Sequence, residues 1–142
     1  MRILALDVGE KRIGVALSGA LNLIAQGLET IKRTSDKETL AKIKELIKQY
    51  DVGKIIVGMP LNMDGSKGPS ALSMEDFISL MKKDIEVSVE TVDERLTTAQ
   101  GERMLLEADV SRKKRKHSID KIAAQLILQT YLDLHVQKDR SQ

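Results

Sequence analysis

The stretch that most constrains the fold is Arg2–Ser18, RILALDVGEKRIGVALS, in which two apolar segments flank one carboxylate and a tight turn. Ile3, Ala5 and Asp7 share one face of an extended strand, and Leu4, Leu6 and Val8 share the other. Both faces stay apolar almost to the end, so the segment reads as a central strand covered on both sides. Gly9-Glu10-Lys11 is short enough for a hairpin turn, with Gly9 expected to supply a positive φ. Arg12–Ser18 then returns beside the first strand. Asp7 is thereby held at the end of a rigid central strand, where a carboxylate is costly to bury unless a cation meets it.

The remaining segments build a sheet around that hairpin. A weaker strand covers Gln26–Lys32. Ser35 and Glu38 form an S-x-x-E capping box, and Leu40, Ile43, Leu46, Ile47 and Tyr50 follow at helical spacing. Asp51-Val52-Gly53 ends that helix, and Ile55–Val57 reads as a short buried strand, parallel to the first because a helix leads to it. Pro60–Pro69, PLNMDGSKGP, is dense in turn residues and reads as an exposed, mobile loop. Met74, Phe77, Ile78 and Met81 mark a second helix. Ile85, Val87 and Val89 alternate along a further strand that stops at Asp93-Glu94. Thr97 and Gln100 form another capping box, opening a helix to about Ala108, and Val110–His117 is a basic loop. In the last helix the apolar stripe is Ile119, Ile122, Ala123, Leu126, Ile127, Thr130, Tyr131 and Leu134, with residues 138–142 a frayed tail.

The expected architecture is one α/β domain over residues 1–142. Its mixed five-stranded sheet has order 3-2-1-4-5, only strand 2 antiparallel, with flanking helices. In such sheets the functional edge lies beyond the carboxyl ends of the parallel strands. Asp7, the Pro60–Pro69 loop and Asp93-Glu94 all fall on that edge.

Composition narrows the chemistry available there. The chain has no cysteine and two histidines, which excludes thiolate zinc sites, disulfides, cysteine nucleophiles and histidine-rich metal sites. No serine–histidine triad assembles, and His117 and His135 read as surface residues. What remains is carboxylates, lysines, arginines and hydroxyls. Clustered carboxylates repel one another, and Mg²⁺ or a similar hard cation relieves this while completing its shell with water and substrate phosphate. The candidates are Asp7, Glu94 and Asp120, with Asp93 able to share the strand-end role. Asp120 opens the last helix, where a carboxylate also serves simply as a dipole partner. The preceding helix carries the chain about 20 Å from the edge, and the extended basic loop spans about 26–29 Å, enough to bring Asp120 back.

Charge is unevenly placed. Residues 95–121 carry eight Lys/Arg against four Asp/Glu, and the rest of the chain fifteen against seventeen. A local basic field on a near-neutral protein points to an anionic partner met at one place, although such a run is also a common solvated loop. Phe77, Tyr50 and Tyr131 are the only aromatic residues, so base stacking on an aromatic platform is excluded. The early apolar run is broken by Asp7, which reads as neither a signal peptide nor a membrane span and leads us to expect a cytoplasmic protein without a membrane partner.

The blocks LDVGEKRIGVALS, IIVGMPLNMDGSKG, VDERLTT and SRKKRKHSIDKIAAQLILQTYLD resemble, in order and over nearly the whole chain, those of the YqgF/RuvX family. These are bacterial proteins described as Holliday junction resolvases or pre-16S ribosomal RNA nucleases, with a ribonuclease H-like fold. The resemblance implies that Asp7, Glu94 and Asp120 are the catalytic, metal-binding carboxylates, and it is the basis for preferring Glu94 to Asp93. Gly19 departs from the family, whose members often carry Asp after the serine.

The implied reaction is metal-assisted phosphodiester hydrolysis, with two Mg²⁺ or Mn²⁺ ions about 3.5–4 Å apart between the carboxylates and a scissile phosphate. Lys11, Arg12 and Arg95 would neutralise flanking phosphates, and Lys67, Arg112, Lys113, Lys114, Arg115 and Lys116 would hold the nucleic acid further out. The expected substrate is pre-rRNA or branched DNA, and the expected assembly a monomer or weak homodimer. Two other readings compete. One is a fragment of an actin-like or sugar-kinase-like phosphotransferase, which needs a second domain for which this chain leaves no room. The other is a catalytically silent nucleic-acid-binding module in ribosome maturation or transcription.

Overall fold

In the computed structural model, residues 1–93 and 122–135 are described. The opening hairpin forms as β1 (Arg2–Val8) and β2 (Arg12–Ser18), antiparallel, with Asp7 opposite Gly14. Gly9 serves it by closeness and not by a positive φ, which among the described glycines belongs to Gly65 (φ 88). A Cβ at Gly9 would stand 2.9 Å from the Arg12 carbonyl oxygen, to which the Gly9 N–H donates at 2.8 Å.

The other elements are β3 (Ala25–Lys32), α1 (Asp36–Gln49), β4 (Val52–Met59), α2 (Pro69–Asp84) and β5 (Ser88–Asp93). The strand order is β3-β2-β1-β4-β5; β4 runs parallel to β1 and to β5, and β2 alone runs against its neighbours. Ser35 caps α1, its Oγ accepting from the Glu38 N–H at 3.2 Å. The box does not close reciprocally, because the Glu38 carboxylate accepts instead from the Thr34 hydroxyl at 2.7 Å. Asp51, at φ 53, turns the chain out of α1 into β4.

Three boundaries differ from expectation. Strand β4 extends past Ile55–Val57 on both sides, to Val52 and Met59. Strand β5 begins at Ser88 because Ile85 belongs to the end of α2, its N–H donating to the Met81 carbonyl at 2.8 Å. The Pro60–Pro69 loop is exposed but cross-braced. Leu61 bridges Lys67, the Asn62 N–H donates to the Ser66 carbonyl at 2.9 Å, and the Asp64 carboxylate accepts from the Ser66 N–H at 2.9 Å and hydroxyl at 2.6 Å. The expected helix to Ala108, the basic loop and the 138–142 tail lie outside the described residues.

Strand alternation divides the core in two. Leu4, Leu6, Ile13, Val15, Ile55 and Val57 face α1 and α2 in the larger cluster. Ala5, Ala16, Ala25 and Ile56 form the other face, covered by the helical residues 122–135 through Ala124, Ile127, Leu128, Tyr131 and Leu132. That buried set is displaced from the expected stripe: only Ile127 and Tyr131 are common to both, and Leu134 is 56 % exposed. The segment is apolar almost all round, so periodicity alone does not select its buried face. No helix among the described residues is long and apolar enough to cross a membrane.

Candidate functional site

The position of Asp7 follows from the pleat. It shares parity with Ile3 and Ala5, both in the cluster beneath residues 122–135, and lies opposite Gly14, which shares parity with Ala16 of that cluster. Asp7 is therefore half-buried at the carboxyl end of the central strand, on the face covered by the last helix. Lys11 and Arg12 sit in the adjoining turn and at the start of β2, Lys11 exposed and Arg12 half-buried.

Asp93 belongs to the opposite face. It pairs with Met59, a residue of the α1/α2 core, and lines a cleft of about 510 Å³ with Thr91, Ile78 and Lys67. Val92, its neighbour, packs on the Asp7 face. Lys67 follows β4 at the same sheet edge but is paired with Glu75. A second cleft, about 370 Å³, lies above the α2 side of the edge between Val8, Pro60, Ser70 and Phe77. Both clefts are thus on the face away from the Asp7 side chain. Glu94, Arg95, Arg112, Lys113, Lys114, Arg115, Lys116 and Asp120 lie outside the described residues.

Three side chains of the last helix, Gln125, Gln129 and Tyr131, tie it to the rest of the chain by hydrogen bonds. Gln129 accepts from the Ala25 N–H at 2.9 Å and donates to the Leu23 carbonyl at 3.1 Å. Gln125, one turn earlier, donates to the Ala25 carbonyl at 3.2 Å. Lys54, near the start of β4, donates to the Tyr131 hydroxyl at 2.9 Å and pairs with Glu90 at 3.0 Å. Tyr131 thus sits over the start of β4, and Gln125 and Gln129 both meet the sheet at Ala25, the first residue of β3. Lys54 is level with Ile3, about 13 Å below Asp7 along β1 at 3.3 Å per residue.

Hydrogen bonding from Tyr131 and Glu90 raises the Lys54 pKa above its ordinary value, and the Lys54 ammonium lowers that of Glu90. None of Lys54, Glu90, Gln125 or Gln129 was singled out from sequence. The signal was present: a lysine within a buried strand, and two glutamines four apart on an otherwise apolar helix. His135 is a surface residue, as expected, stacked against Tyr131 with ring centroids 4.1 Å apart. Gly19 is remote from Asp7. It follows Ser18, whose neighbour Leu17 pairs with Leu4, and its N–H is taken up by the Ile24 carbonyl at 2.9 Å.

Known proteins share this fold. Among solved structures, T. thermophilus RuvC in complex with a Holliday junction substrate superposes with a TM-score of 0.57 at 16% identity, covering 96% of both chains. The fowlpox virus Holliday junction resolvase gives 0.54 at 15% identity, over 94% of this chain and 99% of that one. The fold is accordingly ribonuclease H-like. Two relatives, each named as a candidate pre-16S rRNA nuclease, are closer in sequence. The one from Natranaerobius thermophilus is 52% identical over 99% of this chain and 100% of its own. The one from Halothermothrix orenii is 56% identical over 94% and 95%. The RuvX family model, described as Holliday junction resolvase, matches residues 1–134. The chain belongs to the RuvX family.

Proposed function

We propose that this protein is a divalent-metal-dependent nuclease that hydrolyses phosphodiester bonds in structured nucleic acid, in 5′-end processing of pre-16S rRNA or in junction resolution. The observation that carries the proposal is the half-buried Asp7 carboxylate at the carboxyl end of the central strand, on the face that the last helix covers. Asp120 precedes residue 122, the first described residue of that helix, by two positions, and Glu94 follows Asp93, the last residue of β5.

The donor chemistry fits a hard cation. Asp7 offers carboxylate oxygens from a rigid strand, half-buried, where an anion is costly without a counter-charge. Asp7, Glu94 and Asp120 would hold Mg²⁺ or Mn²⁺, one ion or a pair, which supplies positive charge against the scissile phosphate and lowers the pKa of attacking water. Asp7 fixes the reaction point relative to the sheet. Lys11 and Arg12, in the turn beside it, bind phosphate oxygens on either side and orient the strand being cut. Arg95 and the run Arg112–Lys116, with Lys67 further along the edge, neutralise more distant phosphates.

The test compares turnover with binding in Asp120→Asn at matched salt and saturating Mn²⁺, on junction DNA and pre-16S rRNA. Lost turnover with retained binding and folding supports the nuclease. A loss confined to about 0.3–1 kcal/mol of stability, with turnover intact, marks Asp120 as a dipole partner. A wild type that cuts neither substrate with either metal makes the protein a binding module.

A further inference from the structure

The last helix meets the sheet through an interface that does little to fix its own register. Its floor is Ala5, Ala16 and Ala25 with Ile56, small side chains that offer shallow ridges. The segment is nearly apolar all round: Ile122, Ala123 and Leu126 are partly exposed while Ala124, Ile127, Leu128 and Leu132 are buried. A rotation of one residue would exchange one apolar set for another at little cost, because hydrophobic contact is non-directional. Directional contacts must therefore select the observed seat.

Three directional contacts do this. Gln129 grips the backbone on both sides of its amide, accepting from Ala25 and donating to Leu23, and its amide also donates to the Asp133 carboxylate at 3.0 Å. Two acceptors face the nitrogen and one donor faces the oxygen, so the amide fits only one way round. Gln125, one helical turn earlier, adds the Ala25 carbonyl. Lys54, on β4 and three strands across from β3, ties the Tyr131 hydroxyl to Glu90.

We propose that Lys54, Gln125 and Gln129 form a register latch and act as positioning residues for the active site, setting the height and rotation of the helix whose described residues begin two positions after Asp120. This rests on the nuclease reading, in which Asp120 is a ligand. A slip of one residue moves the helix by 1.5 Å and turns it by about 100°. A misplacement of about 1 Å is enough to cost on the order of 10²-fold in turnover.

The experiment uses the full chain carrying Lys54→Met and Gln129→Leu, which keep side-chain bulk and remove the directional contacts. Turnover is measured against substrate concentration, and Mn²⁺ affinity by calorimetry without nucleic acid. The latch predicts a fall of about 100-fold in kcat with KM changed less than threefold, and Mn²⁺ affinity weakened at least tenfold, in protein whose circular dichroism is native. Lys54→Arg, which keeps a donor for both Tyr131 and Glu90, should restore most of the loss due to Lys54→Met. A folded double variant with wild-type kcat and Mn²⁺ affinity overturns the latch. If the double variant does not fold, the single variants decide, and a lowered melting temperature with unchanged kcat in each also overturns it. Asp120→Asn runs in parallel: if it retains Mn²⁺ binding and turnover, the nuclease reading has failed, whereas its inactivity beside an active latch variant refutes the latch alone.

Discussion

Asp93 and Asp7 are both aspartates at strand ends on one sheet edge, yet their replacement by asparagine should have opposite outcomes. They lie two strands apart, on β5 and β1, about 10 Å in the sheet plane at 4.8 Å per strand, and their side chains leave opposite faces. Two carboxylates that bind one Mg²⁺ at about 2.1 Å must bring their oxygens within about 4 Å of each other, which this placement forbids. What Asp93 exerts at Asp7 is a through-space repulsion of about 0.4 kcal/mol in a water-like dielectric, further reduced by salt. That corresponds to a factor of about two in rate. Asp93→Asn should therefore keep turnover within about threefold and leave Mn²⁺ affinity unchanged. Asp7→Asn should abolish turnover and weaken Mn²⁺ binding while the fold persists. The assay is calorimetric Mn²⁺ titration with single-turnover cleavage, corrected for the folded fraction by circular dichroism. Equal losses in the two variants, or full activity in Asp7→Asn, would refute the separation by face.

Gly9→Ala should destabilise the opening hairpin by about 1–3 kcal/mol, read from the denaturant midpoint, because its Cβ meets backbone that cannot step aside. Replacing Lys113, Lys114, Arg115 and Lys116 by Ala should reduce the slope of log affinity against log salt on a duplex by about 0.9 per lost phosphate contact; an unmoved slope marks the run as solvated surface. The Lys54–Glu90 pair makes a pH prediction. Glu90, lowered from 4.5, contributes stability that is lost as pH falls through its folded value. Lys54, raised from 10.5, contributes stability that is lost as pH rises through its folded value. The stability difference between wild type and Lys54→Met should therefore be flat from about pH 5 to 10 and shrink at both ends. It should not exceed about 1 kcal/mol on the plateau, since the two side chains are 33% and 45% exposed.

The sheet order was legible because each strand carried its own signal and the connections left one right-handed solution. Asp7 was legible for the same reason: a carboxylate closing an apolar strand stands out against its neighbours. The buried face of the last helix was not, since Ile122, Leu126 and Leu134 compete with Leu128 and Leu132 at equal hydrophobicity. What decides there is Gln125 and Gln129 meeting the backbone at Leu23 and Ala25, contacts no local pattern announces. Gly9 was read correctly as a turn residue but for the wrong reason, because close approach to Arg12 needs coordinates to be seen. Pro60–Pro69 looked mobile from composition, yet its Asn, Asp and Ser side chains bond one another and the backbone. The face of Asp93 was not legible either, since it follows from the pairing of β5 with Met59.

The contacts of Gln125 and Gln129 join residues 100, 104 and 106 positions apart, and this has a consequence for the order of folding. The three-strand meander β1–β2–β3 pairs near neighbours and can form early, whereas loop closure over a hundred residues comes late. During synthesis at about 5–20 residues per second, the α1/α2 face can be covered several seconds before the last helix leaves the ribosome. Through that interval the alanine face on which the helix packs stays bare. A chain truncated before the last helix would leave Ala5, Ala16, Ala25 and Ile56 open to water.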